Sequence, residues 1–139
     1  MSSAASRARA TCIVIDHDRV LLMHRRRAGE EYYVVPGGGI EPGETAEQAC
    51  LRELAEETSL CPTRIRHVLT DDHDDRRIHY YAATDVRGEP RLGGPELARN
   101  SPANHYELRW VPLADVEAVP LRPAGARIAV MKAATDLTS

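Results

Sequence analysis

Residues 36–60 read PGGGIEPGETAEQACLRELAEETSL, and the second half of that stretch has one inexpensive conformation. From Ala46 to Thr58 no Gly or Pro interrupts a run of Ala, Glu, Gln, Leu and Arg, which are good helix formers. Thr45 and Gln48, three apart at the start, predict a capping box in which each side chain satisfies an orphan amide of the first turn. At roughly 100° per residue, Glu47, Leu51, Leu54 and Thr58 fall on one side and Arg52, Glu53, Glu56 and Glu57 on the other. Leu51 and Leu54 are therefore expected to face the core, and the carboxylates to face outward.

Those carboxylates do nothing for the stability of an isolated helix. Glu53 stands three and four residues before Glu56 and Glu57, and like charges at that spacing cost about 0.2–0.5 kcal/mol per pair. They also crowd the C-terminal half, where the helix dipole favours cations. Residues 38–60 hold six acids and one base, so a net charge of −5 is concentrated in a chain whose total is −3. A solvated acidic face is the ordinary explanation of a glutamate-rich helix, but the crowding argues for a cation. With no His or Cys beside the carboxylates, the cluster suits a hard divalent ion, Mg²⁺ or Mn²⁺, rather than zinc.

Gly37, Gly38, Gly39 and Gly43 precede the helix and permit close approach of main chain to a ligand. Two phosphate-binding patterns fail here. Gly37-x-Gly39-x₃-Gly43 misses the dinucleotide spacing by one residue. Gly38-x₄-Gly43-Glu44-Thr45 imitates a P-loop but carries Glu44 where that loop needs lysine.

The full pattern Gly38-x₅-Glu44-x₇-Arg52-Glu53-Leu54-x-Glu56-Glu57-x-Ser59-Leu60 resembles the box of the Nudix hydrolases. Tyr33-x₂-Pro36-Gly37-Gly38 resembles the approach to that box, with Tyr where many members carry Trp. Ser59 departs from it, standing where the family usually has Gly; a residue there must adopt the left-handed conformation or end the helix differently.

The resemblance implies an α/β fold, the Nudix-type α/β/α sandwich with a mixed central sheet. It also implies an enzyme that hydrolyses a diphosphate bond in a nucleoside diphosphate linked to another moiety. A nucleoside triphosphate is the first expectation for substrate. ADP-ribose, a nucleotide sugar and a non-catalytic nucleotide sensor are the alternatives. ADP-ribose-cleaving members of that family often carry a proline about one strand beyond the box; here none occurs between Pro62 and Pro90, which argues against ADP-ribose, and sensors typically lose the box glutamates that are kept here. The implied metal set is Glu53, Glu56 and Glu57 with the Gly37 carbonyl, binding Mg²⁺ or Mn²⁺. Glu53 would serve the attacking water, Arg52 would orient the glutamates, and Glu44 would buttress the loop. Arg25, Arg27, Gly38 and Gly39 are the substrate-binding candidates.

The remaining chain fits one domain over residues 10–139, preceded by a flexible tail over residues 1–9. With 42% hydrophobic residues, 4% aromatics and no Phe, aliphatic side chains and Ala must build the core. The charge balance shows no basic face, which excludes duplex nucleic acid as an obvious partner. Cys12, Cys50 and Cys61 form no C-x₂-C pair and read as thiols in a reducing cytoplasm. No run is long and apolar enough to span a membrane. A homodimer is expected only by family habit.

Short apolar runs predict strands at residues 10–15, 20–23, 32–35, 63–69, 78–86 and 106–113. The basic run His24, Arg25, Arg26, Arg27 is either a solvated loop or a contact to substrate phosphates. Asp71, Asp72, His73, Asp74 and Asp75 read first as a charged hairpin loop and second as a source of an extra acid. Residues 88–102 form a long loop shaping the pocket, with Glu96 as a supplementary base. Trp110 is expected in the core. Residues 114–119 suggest a helical turn, and residues 123–135 a closing helix packing Ile128, Val130 and Met131 inward.

Overall fold

The computed structural model describes residues 8–83, 86 and 88–138, with the side chains of residues 95, 96, 137 and 138 outside the description. Among the described residues, eight strands and three α-helices form three layers. The strands are β1 (Arg9–Asp16), β2 (Arg19–Arg27), β3 (Glu30–Val34), β4 (Gly37–Gly39), β5 (Ile65–His73), β6 (Arg76–Ala83), β7 (Asn104–Pro112) and β8 (Leu121–Arg122). The helices are α1 (Ala46–Thr58), α2 (Gly94–Arg99) and α3 (Ala124–Thr138), with a 3₁₀ turn over Leu113–Ala118.

The sheet is mixed and runs β5-β6-β1-β2-β3-β8, with β4 on β1 and β7 on β2. β1 pairs in parallel with β6, and its other edge is shared between β2 near Asp16 and β4 near Arg9. That sharing places the glycine strand at the middle of the sheet, beside α1. Residues 10–15 of β1 are buried on both faces, which explains why ATCIVI shows no polar alternation. Ala10, Cys12, Val14 and Leu21 pack with Ala49, Cys50, Leu54 and Leu60 on the α1 side. Ile13, Ile15, Val20 and Leu22 pack with Ala126, Ala129, Val130 and Ala133 on the α3 side. The α/β/α sandwich read from the sequence is therefore the fold observed.

Several local expectations are corrected. Leu51 is 38% exposed while Glu57 is buried, because the inward arc of α1 runs through Ala49, Cys50, Leu54, Glu57 and Thr58. The apolar stripe alone did not fix that arc; the glycine strand presses against its edge and accepts a carboxylate there. Ile128 points to solvent and Val130 takes the core position. β2 continues through the basic run to Arg27, since β3 and β7 pair with all of it. Asp71, Asp72 and His73 belong to β5, leaving only Asp74 and Asp75 in the turn. Residues 88–102 contain α2, and β8 is a two-residue strand that the sequence did not signal. Trp110 is part-buried on the α1 side, with Arg19 stacked 4.7 Å over its ring.

The tail boundary also moves. Residues 1–7 lie outside the described residues, but Arg9 begins β1 and the Ala8 carbonyl accepts from the Ile40 N–H at 2.9 Å.

Candidate active site

The capping box at the start of α1 forms as read: the Gln48 N–H donates to Thr45 Oγ1 at 3.1 Å and the Thr45 N–H to Gln48 Oε1 at 2.9 Å. At the other end Ser59 adopts the left-handed conformation, φ 65°, and its N–H donates to the Ala55 carbonyl. The next orphan carbonyls of α1 are met by the loop that follows β6. The Arg91 N–H donates to Thr58 O at 2.8 Å, the Gly93 N–H to Glu57 O at 3.1 Å, and Ser59 Oγ to Arg91 O at 3.3 Å.

Between those ends, Arg52 gathers the acids. Its Nε and Nη2 grip both oxygens of Glu44 at 2.6 and 3.0 Å, a bidentate fork. Its Nη1 donates to Glu53 Oε2 at 3.0 Å and Glu56 Oε1 at 3.3 Å, and Nη2 also reaches the Gly39 carbonyl at 3.0 Å. The guanidinium holds the Glu44 carboxyl down to about 2, helped by the Glu41 N–H that donates to it. Reciprocally, the Glu44 carboxylate raises the Arg52 pKa above its ordinary value.

The glycines explain how the carboxylates reach the sheet. Gly37 and Gly38 pair with Thr11 and Ala10 on β1. A Cβ on Gly38 would collide with the Glu53 carboxylate, and one on Gly37 would lie 2.5 Å from the Ala10 carbonyl oxygen. The Gly37 N–H donates to Glu57 Oε1 at 2.9 Å. So Gly38 is bare because α1 lays the Glu53 carboxylate across it, and Gly37 because β1 stands where its Cβ would go. Glu44, Arg52, Glu53, Glu56, Glu57, Gly37, Gly38 and Gly39 are brought together. Their donors are carboxylate and carbonyl oxygens, a set that fits a hard divalent cation.

Arg25 is on the same face of the sheet as α1, stacked 3.8 Å over Tyr106, with Nη2 donating to Asn104 Oδ1 at 2.5 Å and Nε to His105 O at 3.2 Å. Arg27 closes the β2–β3 hairpin opposite Glu30, about 13 Å along the strand from Met23, whose partner Val34 leads to the glycines. It is not brought to the carboxylates. The Asp71 carboxylate lies against Gly125 in the first turn of α3, and Asp72 pairs with Arg77 at 3.3 Å. The side chain of Glu96 lies outside the described residues.

Two residues escaped the sequence reading. Arg9, assigned to a tail, reaches the Gly37 carbonyl with Nη2 at 3.4 Å. Tyr80, buried in β6, has no hydrogen-bond partner for its hydroxyl among the described residues, and burial pushes that hydroxyl up to about 12. Both line a cavity of about 690 Å³ with Thr11, Val35, Ile78 and Arg122, on the α3 side of the sheet. A cation at the head of a chain and one tyrosine among five carry no spacing signal.

A family model of the NUDIX domain matches residues 5–131. The chain belongs to the Nudix hydrolase family. Over 61 residues it is 38% identical to an RNA pyrophosphohydrolase of Psychromonas ingrahamii, a segment that amounts to 44% of this chain and 34% of that protein. The chain thus spans about a third of the length of that curated relative. The crystal structure of a MutT NUDIX hydrolase from Burkholderia pseudomallei is similar with a TM-score of 0.73 and 28% identity, covering 91% of this chain and 96% of that one. The NUDIX domain of Shewanella oneidensis NrtR, solved with ADP ribose, shares the fold at a TM-score of 0.72 and 23% identity, covering 94% and 88%. Among the described residues no helix is long and apolar enough to cross a membrane.

Proposed function

We propose that this chain hydrolyses the diphosphate bond of a nucleoside diphosphate derivative, with a nucleoside triphosphate as the first substrate class, using Mg²⁺ or Mn²⁺. The observation that carries the reading is the single guanidinium that gathers Glu44, Glu53 and Glu56 against a glycine strand whose first N–H holds Glu57. Three mutually repelling carboxylates kept beside a bare strand are better suited to binding than to stability.

Glu53, Glu56 and Glu57 would hold the cation, with the Gly37 carbonyl as a further oxygen. When bound, such an ion reverses the local field for a polyanionic substrate and acidifies a water. Glu53 is assigned to take the proton of the attacking water, Arg52 to keep Glu53 and Glu56 oriented, and Glu44 to keep Arg52 in place. Arg25 is already ordered by Asn104 and Tyr106 and is assigned to phosphate oxygens; Arg27 is a weaker candidate from its hairpin position. Gly38, beside which the Glu53 carboxylate lies, and Gly39 are assigned as main-chain neighbours of the diphosphate.

The cavity on the α3 side of the sheet is of nucleoside size, and Arg9, which lines it, reaches the Gly37 carbonyl. The Tyr80 hydroxyl offers a neutral donor to a polar edge of the base.

A second reading, removal of a terminal diphosphate from triphosphorylated RNA, is favoured by the name of the curated relatives. Release of phosphate and pyrophosphate is to be measured with Mg²⁺ and with Mn²⁺ against nucleoside triphosphates, oxidised triphosphates, ADP-ribose, nucleotide sugars and a 5′-triphosphorylated oligoribonucleotide. Cleavage of one class sets the substrate. Tight binding with no cleavage in any arm replaces hydrolysis by nucleotide sensing. Solution mass tests the homodimer, and we take the cytoplasm as the compartment.

A further inference from the structure

On the face of the sheet opposite α1, three adjoining strands bring together a second set of ligand-type side chains. His24 of β2 is paired across from Glu107 of β7, and His105 lies two residues before Glu107 on the same face. Glu31 of β3 reaches the same spot. One ligand atom each from His24, His105 and Glu107 lies within 4.8 Å of the others.

The state of the two imidazoles is what makes the cluster informative. His24 is 1% exposed, yet its Nδ1 has no hydrogen-bond partner among the described residues. Its other nitrogen, Nε2, lies 2.6 Å from Glu31 Oε2. A carboxylate accepts and does not donate, so Nε2 carries a proton, and in the neutral ring Nδ1 is the nitrogen left to bind a ligand. A histidine fixed by a carboxylate on its far nitrogen, with the near nitrogen bare, is the arrangement that metal-bound histidines use. His105 Nε2 is likewise buried without a hydrogen-bond partner, 3.4 Å from Glu107 Oε1. A second edge, His24 Nδ1 to Glu107 Oε1, is 4.0 Å. Ligands of a tetrahedral zinc ion stand about 3.3–3.4 Å apart, given bonds of about 2.0–2.1 Å. The first edge already matches, the second needs to close by about 0.6–0.7 Å, and the ligand atoms of all three residues lie within 4.8 Å of one another.

We propose that His24 Nδ1, His105 Nε2 and Glu107 Oε1 form a binding site for a borderline-soft divalent cation, Zn²⁺ foremost, with Glu31 orienting His24 and a water as fourth ligand. Two imidazoles and one carboxylate select zinc, cobalt or nickel over magnesium, so this site and the oxygen-only cluster on α1 take different ions. The ion ties β2 to β7 and, through Glu31, to β3. Arg109 is its built-in competitor: Nη2 and Nε contact Glu107 Oε1 at 2.7 and 2.8 Å, and a cation must share or displace that guanidinium.

The competitor supplies a test of opposite sign. Zinc uptake by the full chain is measured by equilibrium dialysis with excess Mg²⁺ present to cover the carboxylates of α1. One zinc per chain is expected. His105→Ala should weaken uptake at least tenfold, Glu57→Gln should leave it unchanged, and Arg109→Gln should tighten it. Circular dichroism of each metal-free variant checks that it folds; His24→Gln serves as second ligand variant if His105→Ala does not. Cobalt in place of zinc should give the intense visible bands of a four-coordinate site. No uptake by the wild type, or uptake indifferent to His105 and His24, overturns the proposal, as does uptake abolished by Glu57→Gln.

Discussion

The carboxylate of Glu53 fills the space that a side chain on Gly38 would need. The two positions are fifteen residues apart in sequence, on a strand and a helix, and each fixes what the other is able to be. In Gly38→Ala the intruding methyl meets the end of a flexible side chain, not backbone, so Glu53 swings away and the fold persists. We expect the melting midpoint to move by less than about 3 °C, under about 1 kcal/mol for a domain of this size. Turnover of the substrate found in the nucleotide panel should fall about 100-fold, the usual penalty for displacing a reacting group by an ångström. Near-wild-type turnover in this variant would remove Glu53 from the assigned role.

Glu57 is buried and accepts from the Gly37 N–H, a bond that Glu57→Gln preserves because the new amide still offers an oxygen. That substitution also relieves repulsion from Glu53. The metal-free variant should therefore melt within about 3 °C of wild type, yet lose most of its turnover and bind Mg²⁺ or Mn²⁺ more weakly. Titration calorimetry with Mn²⁺ reads the second effect directly. Undiminished Mn²⁺ affinity would strike Glu57 from the metal set.

Glu44 has its pKa held at about 2 against an ordinary 4.5, through its hydrogen bond to Arg52. Ionised Glu44 therefore contributes stability that is complete above about pH 4.5 and is lost as the pH falls from there toward 2. Glu44→Gln removes that contribution. Its stability should fall less steeply than the wild type's across that window, by chemical denaturation at each pH. Parallel acid limbs for the two proteins would mean that the Arg52 fork does not persist in solution.

The Tyr80 hydroxyl is buried beside the cavity, without a hydrogen-bond partner among the described residues. Removing an unsatisfied polar group from the interior is neutral or stabilising, by up to about 1–3 kcal/mol. Tyr80→Phe should thus melt at or above the wild-type midpoint, while KM for the preferred substrate rises and kcat holds. An unchanged KM would show that no substrate atom meets this hydroxyl.

Ser59 holds φ 65°, a region that costs a residue with Cβ about 1–2 kcal/mol. Ser59→Gly should raise the melting midpoint by a few degrees despite losing the Oγ contact to Arg91. A lower midpoint would mean that the lost hydrogen bond outweighs the relieved backbone.

The box and its helix were legible because capping and helix propensity act locally: Thr45 and Gln48 form the expected capping box, and Arg52 contacts Glu44, Glu53 and Glu56. The α/β/α class followed from the resemblance and from strand-like runs. Burial of Glu57 in place of Leu51 was not legible, since it is decided by β4, a strand of three glycines that no propensity marks. Arg9 was hidden for a related reason: its place in β1 depends on pairing with Gly39 and Ile78, both far along the chain. The His24, His105 and Glu107 cluster is assembled by β2–β7 register alone, across a separation of about eighty residues that no local pattern bridges.

The amides of Arg91 and Gly93 sit on the last carbonyls of α1, and Gly93 comes so near the Glu56 carbonyl that a Cβ there would be 2.7 Å from it. The segment that precedes α2 is thereby soldered to the foot of the acidic helix. Lengthening or trimming that segment would uncap the very turn that bears Glu56 and Glu57, so a change made in one loop registers on the acidic face of another element.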